Sequence, residues 1–423
     1  MDILVIGSGG REHAIIKKLK ESPKVKKLYS APGNGGIACD AECVPIGAMD
    51  IDEVVKFAKE KAIDLVFVAP DDPLAAGMVD VLQAENIPAF GPSKRAAEIE
   101  GSKVFSKNLM KKYDIPTAGY EIFSTPADAM NFIRQRDEYP VVVKADGLAL
   151  GKGVVIAQNE AEVEHALHSI MEDKIFGTSG NQVVIEEFLT GPEVTVLAFT
   201  DGKTVKPMVS SKDHKRAYDN DEGPNTGGMG TISPNPHYTP EMAELCMESI
   251  FKPTINAMNK ENRPFKGVLY FGLMLTPNGP KVIEYNARFG DPETQVVLPR
   301  LKTDLMDIIE AIQEERLFEI EIEWSNEACA CVVMASGGYP GDYPKGIEIT
   351  GLDEMRQAEN TMIIHAGTKQ ENGKFFTNGG RVLGVTAKGE DVQQALKHAY
   401  AAVEKISFDG AMYRKDIGKY IAN

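Results

Sequence analysis

Residues 281–295 read KVIEYNARFGDPETQ. An apolar run with strand alternation ends in Glu284 and Asn286, which stand two positions apart and so share one face of a strand. There a carboxylate and an amide oxygen can both reach one hard cation. Arg288 follows beside a loop, with Asp291 and Glu293 beyond it. A cation site next to a guanidinium is equipment for neutralising a phosphoryl group in transfer. An edge strand with a polar outer face accounts for Glu284 and Asn286 equally well, but it leaves RFGDPE unexplained.

Upstream, residues 141–156 read VVVKADGLALGKGVVI. Two β-branched strands flank a loop holding Gly147, Gly151, Lys152 and Gly153, with Lys144 closing the first strand. Glycines let backbone N–H groups close around phosphate oxygens, and a lysine adds a compact charge. Three residues, not four, separate Gly147 from Gly151, and Gly153 stands where Ser or Thr would follow the lysine, so the loop is no Walker A motif. A plain hairpin with solvated basic residues fits this stretch alone as well. In VVIEEFLTGPEVT, residues 183–195, an apolar strand ends in Glu186, Glu187, Phe188 and Leu189, and Glu193 follows. Backbone leaving a strand can meet an adenine edge while a later carboxylate takes ribose hydroxyls.

The N-terminal ILVIGSGGREHAI, residues 3–15, nearly matches a dinucleotide fingerprint. It departs at Glu12, where the third glycine belongs, and lacks the acid expected about 20 residues further on, which argues against a nicotinamide-dependent oxidoreductase. Short apolar strands alternate with 3.6-period helices up to residue 100, predicting a parallel sheet whose ligand loops are GSGGR, APGNGG and APDDP. One helix is expected over 94–113, then a small strand-rich, mobile subdomain at about 120–190. The polar segment 210–237 has no hydrophobic period and reads as an irregular functional loop. A helix at about 240–260 precedes a hairpin turned by TPNG.

The 423 residues carry 62 acidic and 46 basic side chains, a net charge of -16 that disfavours nucleic acid and anionic membranes as partners. Five scattered cysteines lack zinc-site spacing and read as reduced thiols. With no leader-like or membrane-length apolar run, a cytoplasmic protein is expected. The sequence leaves oligomeric state open and is compatible with a monomer.

Taken together, the glycine loop, the strand-end acids and the Glu284/Asn286 pair resemble the ATP-grasp superfamily. Within it, GSGGREHA, KADGLALGKGV, GPNTGGMG and above all NARFGDPETQ are similar to the phosphoribosylamine-glycine ligase family, in the same order along the whole chain. The resemblance implies an α/β fold: an N-terminal parallel-sheet domain at 1–100, a two-part ATP-grasp domain at 101–325 and a C-terminal mixed α/β domain at 326–423. It implies ATP, glycine and 5-phosphoribosylamine as small-molecule substrates and Mg²⁺ or Mn²⁺ on Glu284 and Asn286. Lys103 and Lys144 are then expected on ATP phosphates under the 147–153 lid, residues 186–189 on adenine and Glu193 on ribose. Gly9, Gly10, Asn34 and Gly35 are expected around phosphoribosylamine, and Asp213 and Lys215 on the amine or glycine. Asn225, Thr226, Gly227 and Gly228 would form a backbone cradle, and Arg288 and Asp291 would complete the catalytic set, with His214 a candidate general base. One departure stands out: Phe271, Gly272 and Leu273 occupy the neighbouring strand, where many ATP-grasp enzymes carry a further acidic ligand.

Overall fold

The computed structural model describes residues 1–148, 153–355 and 360–419. Strands β1 (Asp2–Gly7), β2 (Lys27–Pro32), β3 (Glu42–Cys43), β4 (Leu65–Val68) and β5 (Ala89–Phe90) form the expected parallel sheet, ordered β3-β2-β1-β4-β5. Ile3 to Ile6 are wholly buried, as a sheet covered on both faces requires. The loops after β1, β2 and β4 meet Asp291, His365 and Arg288, so this domain forms one wall of a central cleft.

The stretch 94–113 is two helices, Lys94–Gly101 and Lys103–Lys112, not the single one expected. Ser102 between them is extended, and its hydroxyl accepts from Phe105 N at 3.0 Å, an N-cap that restarts the helix. Asp146 Oδ1 adds a second cap by accepting from Val104 N at 2.7 Å and Ser102 Oγ at 2.9 Å. That break points Lys103 at the strand end carrying Lys144.

The strand-rich unit is an antiparallel sheet, β6-β9-β7-β8, of β6 (Tyr120–Phe123), β7 (Val141–Ala145), β8 (Val154–Ala157) and β9 (Val183–Glu187). Helices Pro126–Arg136 and Glu160–Leu167 share its apolar core. A second antiparallel sheet, β11-β10-β16-β17, joins β10 (Glu193–Asp201), β11 (Val205–Pro207), β16 (Lys266–Thr276) and β17 (Gly279–Asn286), the last two being the expected hairpin. Its ladder is bulged: Gly272 pairs with Glu284 and Leu273 with Val282, which leaves Ile283 as the extra residue.

The segment 210–237, read above as an irregular loop, contains β12 (Lys212–Asp213), β13 (Arg216–Tyr218), β14 (Glu222–Asn225) and β15 (Gly230–Ser233). Most of its buried side chains are polar, and the buried apolar ones are only Ala217, Met229 and Ile232, too irregularly spaced to show a hydrophobic period. Thr231 Oγ1 donates to Lys212 O at 2.9 Å and Ser233 Oγ to Ser210 O at 2.7 Å. Strand β15 joins β18 (Ala328–Ala335), so the sheet β12-β15-β18-β23-β20, completed by β20 (Thr361–His365) and β23 (Arg381–Gly389), crosses residue 325. Strands β19 (Glu348–Ile349), β21 (Thr368–Glu371) and β22 (Lys374–Thr377) form a small ribbon, and helix Val392–Val403 packs on β18 and β23. Among the described residues no helix is long and apolar enough to cross a membrane.

Candidate active site

A cleft of about 860 Å³ lies where these units meet, its lining including Lys103, Lys144, Glu186, Asp213, Lys215, Glu284, Asn286 and Arg288. Lys144 closes β7 and is held between Glu186 Oε1 at 2.9 Å and the Ile283 carbonyl at 3.2 Å. The bulge explains the second contact, because its extra residue presents a carbonyl outside the ladder. Lys107, which sequence reading passed over, pairs with Glu186 Oε2 at 2.9 Å and donates to Thr117 Oγ1 at 2.8 Å. Burial pulls its ammonium down to about 8 although Glu186 opposes the shift. The signal was available: Lys103 and Lys107 stand four apart on one helix face. Lys103 Nζ donates to Gly147 O at 2.9 Å, and burial lowers its pKa.

Of the expected phosphate loop, Gly151 and Lys152 lie outside the described residues. Gly147 is packed so closely that a Cβ would fall 2.1 Å from Ser179 Oγ, so its lack of a side chain serves that approach. Gly153 borders the cleft and accepts from Ala145 N at 2.9 Å. Phe188 and Leu189 line the cleft at the strand end, as does Glu187, whose carboxylate accepts from Gly119 N at 3.0 Å and Lys281 at 2.7 Å. Glu193 lines it from the start of β10, 3.8 Å from Lys215.

Lys215 Nζ stands 3.5 Å from Glu284 Oε1, and each holds the other charged: Glu284 raises the lysine pKa and Lys215 lowers the carboxyl's. Arg288 Nη2 donates to Asn286 Oδ1 at 3.2 Å and pairs with Glu100 at 3.0 Å, while its buried Nε has no hydrogen-bond partner among the described residues. Glu284 and Asn286 thus offer two hard oxygens to one space. No group of three His, Cys, Asp or Glu assembles around them among the described residues. A donor set of that size suits Mg²⁺ or Mn²⁺ completed by nucleotide phosphates and water. The glycine opposite also has a physical reason, since a Cβ on Gly272 would lie 3.0 Å from Glu284 Cγ.

The Asp213 carboxyl is pushed well above its ordinary range by burial and by Glu293. Asp291 borders the cleft but acts as a junction: it accepts from Arg11 N at 3.2 Å and Gln295 Nε2 at 2.8 Å, and it pairs with Arg381 at 3.4 Å. Gly228, at φ +116°, could carry no side chain, because a Cβ would sit 2.5 Å from Pro292 Cδ and 2.6 Å from Asp213 Oδ1. The expected 225–228 cradle is closed from within. Thr226 N donates to Lys215 O, Gly227 N to the Tyr339 hydroxyl and Gly228 N to Thr226 Oγ1, while Asn225 pairs with Arg216 in the hairpin. These groups shape the backbone of Lys215, and Thr226 adds a second bond to the same carbonyl through its hydroxyl at 2.8 Å.

The three family models that match the chain are the phosphoribosylglycinamide synthetase N domain over residues 1–100, the ATP-grasp (A) domain over 101–294 and the C domain over 329–420. The chain belongs to the phosphoribosylglycinamide synthetase family. It is 49% identical over 417 residues to a phosphoribosylamine–glycine ligase of Caldanaerobacter subterraneus subsp. tengcongensis, covering 99% of each chain. The crystal structure of phosphoribosylamine–glycine ligase from Thermotoga maritima matches at TM-score 0.84 and 34% identity over 99% of this chain and 100% of that one. The biotin carboxylase domain of Hydrogenobacter thermophilus 2-oxoglutarate carboxylase, at 16% identity and TM-score 0.75 over 97% of this chain and 91% of that one, shares the fold.

Within this synthetase fold the N-terminal loops answer the dinucleotide question. Glu12 Oε2 accepts from Gly9 N at 2.5 Å and Glu12 Oε1 from Arg11 Nε at 2.6 Å, so an internal carboxylate fills the place of a pyrophosphate. A Cβ on Gly10 would sit 2.6 Å from Gln295 Nε2, so that glycine serves packing. Asn34 donates to Ser8 O and His365 O and accepts from Gly36 N and Ile37 N, and Gly35 N donates to Thr368 O. These residues dock the C-terminal domain, while Arg11 and Asp71, from the expected ligand loops GSGGR and APDDP, reach the cleft together with Tyr339 and Arg381, which the sequence did not mark. His214, expected as a solvated loop residue or a base, is 5% exposed with both ring nitrogens engaged.

Proposed function

We propose that this chain uses ATP to join glycine to 5-phosphoribosylamine, giving glycinamide ribonucleotide, ADP and phosphate through glycyl phosphate. The observation that carries the reading is the unpartnered Arg288 Nε beside Glu284 and Asn286, in the same cleft as Lys103 and Lys144. Lys103 and Lys144 hold the ATP phosphates, the 186–189 strand end receives adenine and Glu193 the ribose. Glu284 and Asn286 hold Mg²⁺ or Mn²⁺, which supplies charge neutralisation for the last two phosphates when bound.

A carboxylate oxygen of glycine attacks the γ-phosphorus, and the β–γ bridging oxygen leaves with ADP. Arg288 stabilises the charge that develops on the transferred group. The amine nitrogen of phosphoribosylamine then adds to the acyl carbon, and the carbon–oxygen bond breaks to release phosphate. Asp213, whose carboxyl is pushed up by burial and by Glu293, takes the proton lost from that amine. With ¹⁸O-labelled glycine, product analysis should find label in inorganic phosphate, unlabelled ADP, and turnover that requires both substrates. AMP with pyrophosphate, or turnover with bicarbonate in place of glycine, would overturn the reading.

A further inference from the structure

The segment bearing Asp213 and Lys215 has little of its own to hold it: β12 is two residues long, and β13 and β14 form an isolated ribbon. Such a ribbon is marginal alone in water. Its rigidity comes from the far end of the chain. Arg414, whose side chain is fully buried, donates to Asp416 Oδ1 at 2.8 Å, Asp416 Oδ2 at 3.0 Å, Asp221 Oδ1 at 2.7 Å and Arg216 O at 3.2 Å. Asp416 Oδ2 also accepts from Asn220 N at 2.7 Å, and Asp219 Oδ1 from Lys415 N at 2.7 Å. Asn220 and Asp221 are both left-handed, at φ 61° and 54°, a strained pair that persists only where surrounding contacts over-determine it. Between Asp213 and Lys215, the His214 ring bridges two elements: Nδ1 donates to Gly230 O at 3.1 Å and Nε2 accepts from Gly418 N at 3.1 Å.

We propose that residues 414–418 are a strap that positions Asp213 and Lys215 in the cleft, with His214 and Arg414 as positioning residues acting through that segment. A buried guanidinium is favourable only when all its acceptors are in place, so the strap admits one geometry of residues 213–221 and not a range. The neutral, doubly bonded imidazole cannot shift without carrying both neighbours with it. The C-terminal domain thereby sets affinity for the small substrates while leaving the ATP end, built from β7, β9 and the Lys103–Lys112 helix, untouched. This inference rests on the reading that Asp213 and Lys215 serve glycine and phosphoribosylamine.

Steady-state kinetics of His214→Leu, His214→Asn, Asp221→Asn and Lys215→Met, paired with calorimetric ATP binding, test it. His214→Leu should raise KM for glycine and phosphoribosylamine by about tenfold or more, a scale consistent with small misplacements of binding groups. The Kd for ATP should stay at the wild-type value. His214→Asn, which keeps a donor for Gly230 O, should recover part of the loss, and Asp221→Asn, altering a half-exposed partner, should give the same pattern more weakly. A purely structural role would lower kcat with the folded fraction and leave both KM values alone, and that result overturns the strap. If Lys215→Met moves KM but the strap variants do not, only the strap falls. If Lys215→Met also leaves KM unchanged, the site reading falls and the strap with it.

Discussion

Lys215 Nζ lies 3.5 Å from Glu284 Oε1, so a lysine stands against the carboxylate proposed to hold the metal. Without a divalent cation the two charges neutralise each other. A divalent cation held by Glu284 would share that carboxylate with Lys215 or displace it. Glu284→Gln should therefore disable both states, with turnover falling about 10²-fold or more at saturating ATP and metal. The melting temperature should stay close to wild type, because the side chain is about a third exposed. ADP release followed beside a thermal melt checks both, and near-normal turnover would remove Glu284 from the site.

Lys144→Ala should likewise lose about 10²-fold or more in turnover, since a phosphate-neutralising charge disappears from the transition state. Glu186 keeps Lys107 at 2.9 Å in that variant, so the fold should survive. Single-turnover ADP formation separates this from a binding defect.

Lys107→Met tests the residue that sequence reading passed over. Once it is gone, Lys144 alone must balance the buried Glu186 and is less available to phosphate. The ATP Kd should weaken by roughly tenfold, about 1.4 kcal/mol. Isothermal calorimetry with ATP would show it, and unchanged affinity would confine Lys107 to packing.

Gly228→Ala should be destabilising by about 2 kcal/mol, for the residue sits at φ +116° and its new methyl would meet Pro292 and Asp213 at contact distances below 3 Å. Because Asp213 is one of the displaced groups, kcat/KM should fall further than the folded fraction does. Denaturant melts and kinetics on one preparation decide between the two effects.

Stability should depend on pH through His214. Burial pulls its imidazole from 6.5 down to about 4, with the Gly230 carbonyl opposing the shift. The unfolded chain thus binds the proton first, so the contribution is complete above pH 6.5 and is lost as pH falls toward 4. The whole step amounts to about 3 kcal/mol. Urea midpoints of wild type and His214→Asn should converge across that window, and parallel curves would contradict it.

Much of this site was legible because its chemistry is written in local spacing. Glu284 and Asn286 share a strand face at period two, and Lys144 ends a β-branched run, so both reach the cleft as read. What escaped reading depends on contacts distant in sequence. Gly9, Asn34 and Gly35 carry phosphate-loop residue types, yet Glu12 and the C-terminal domain occupy their hydrogen bonds, which no local pattern reveals. The 210–237 segment was misread because most of its buried side chains are polar, with hydroxyls such as Thr231 and Ser233 paired to carbonyls, and Arg381 reaches Gly227 O at 2.7 Å from 154 positions away.

The sheet shared by β15 and β18 also sets a timetable. During synthesis β15 leaves the ribosome nearly a hundred residues before its neighbour β18, and β23, which lies between β18 and β20, is made later still. The wall bearing Asp213 cannot be completed until β18 and β23 have been made, although its own strands are finished long before. The strand that carries Asp213 is thus made early yet finished late, by partners nearly a hundred residues downstream.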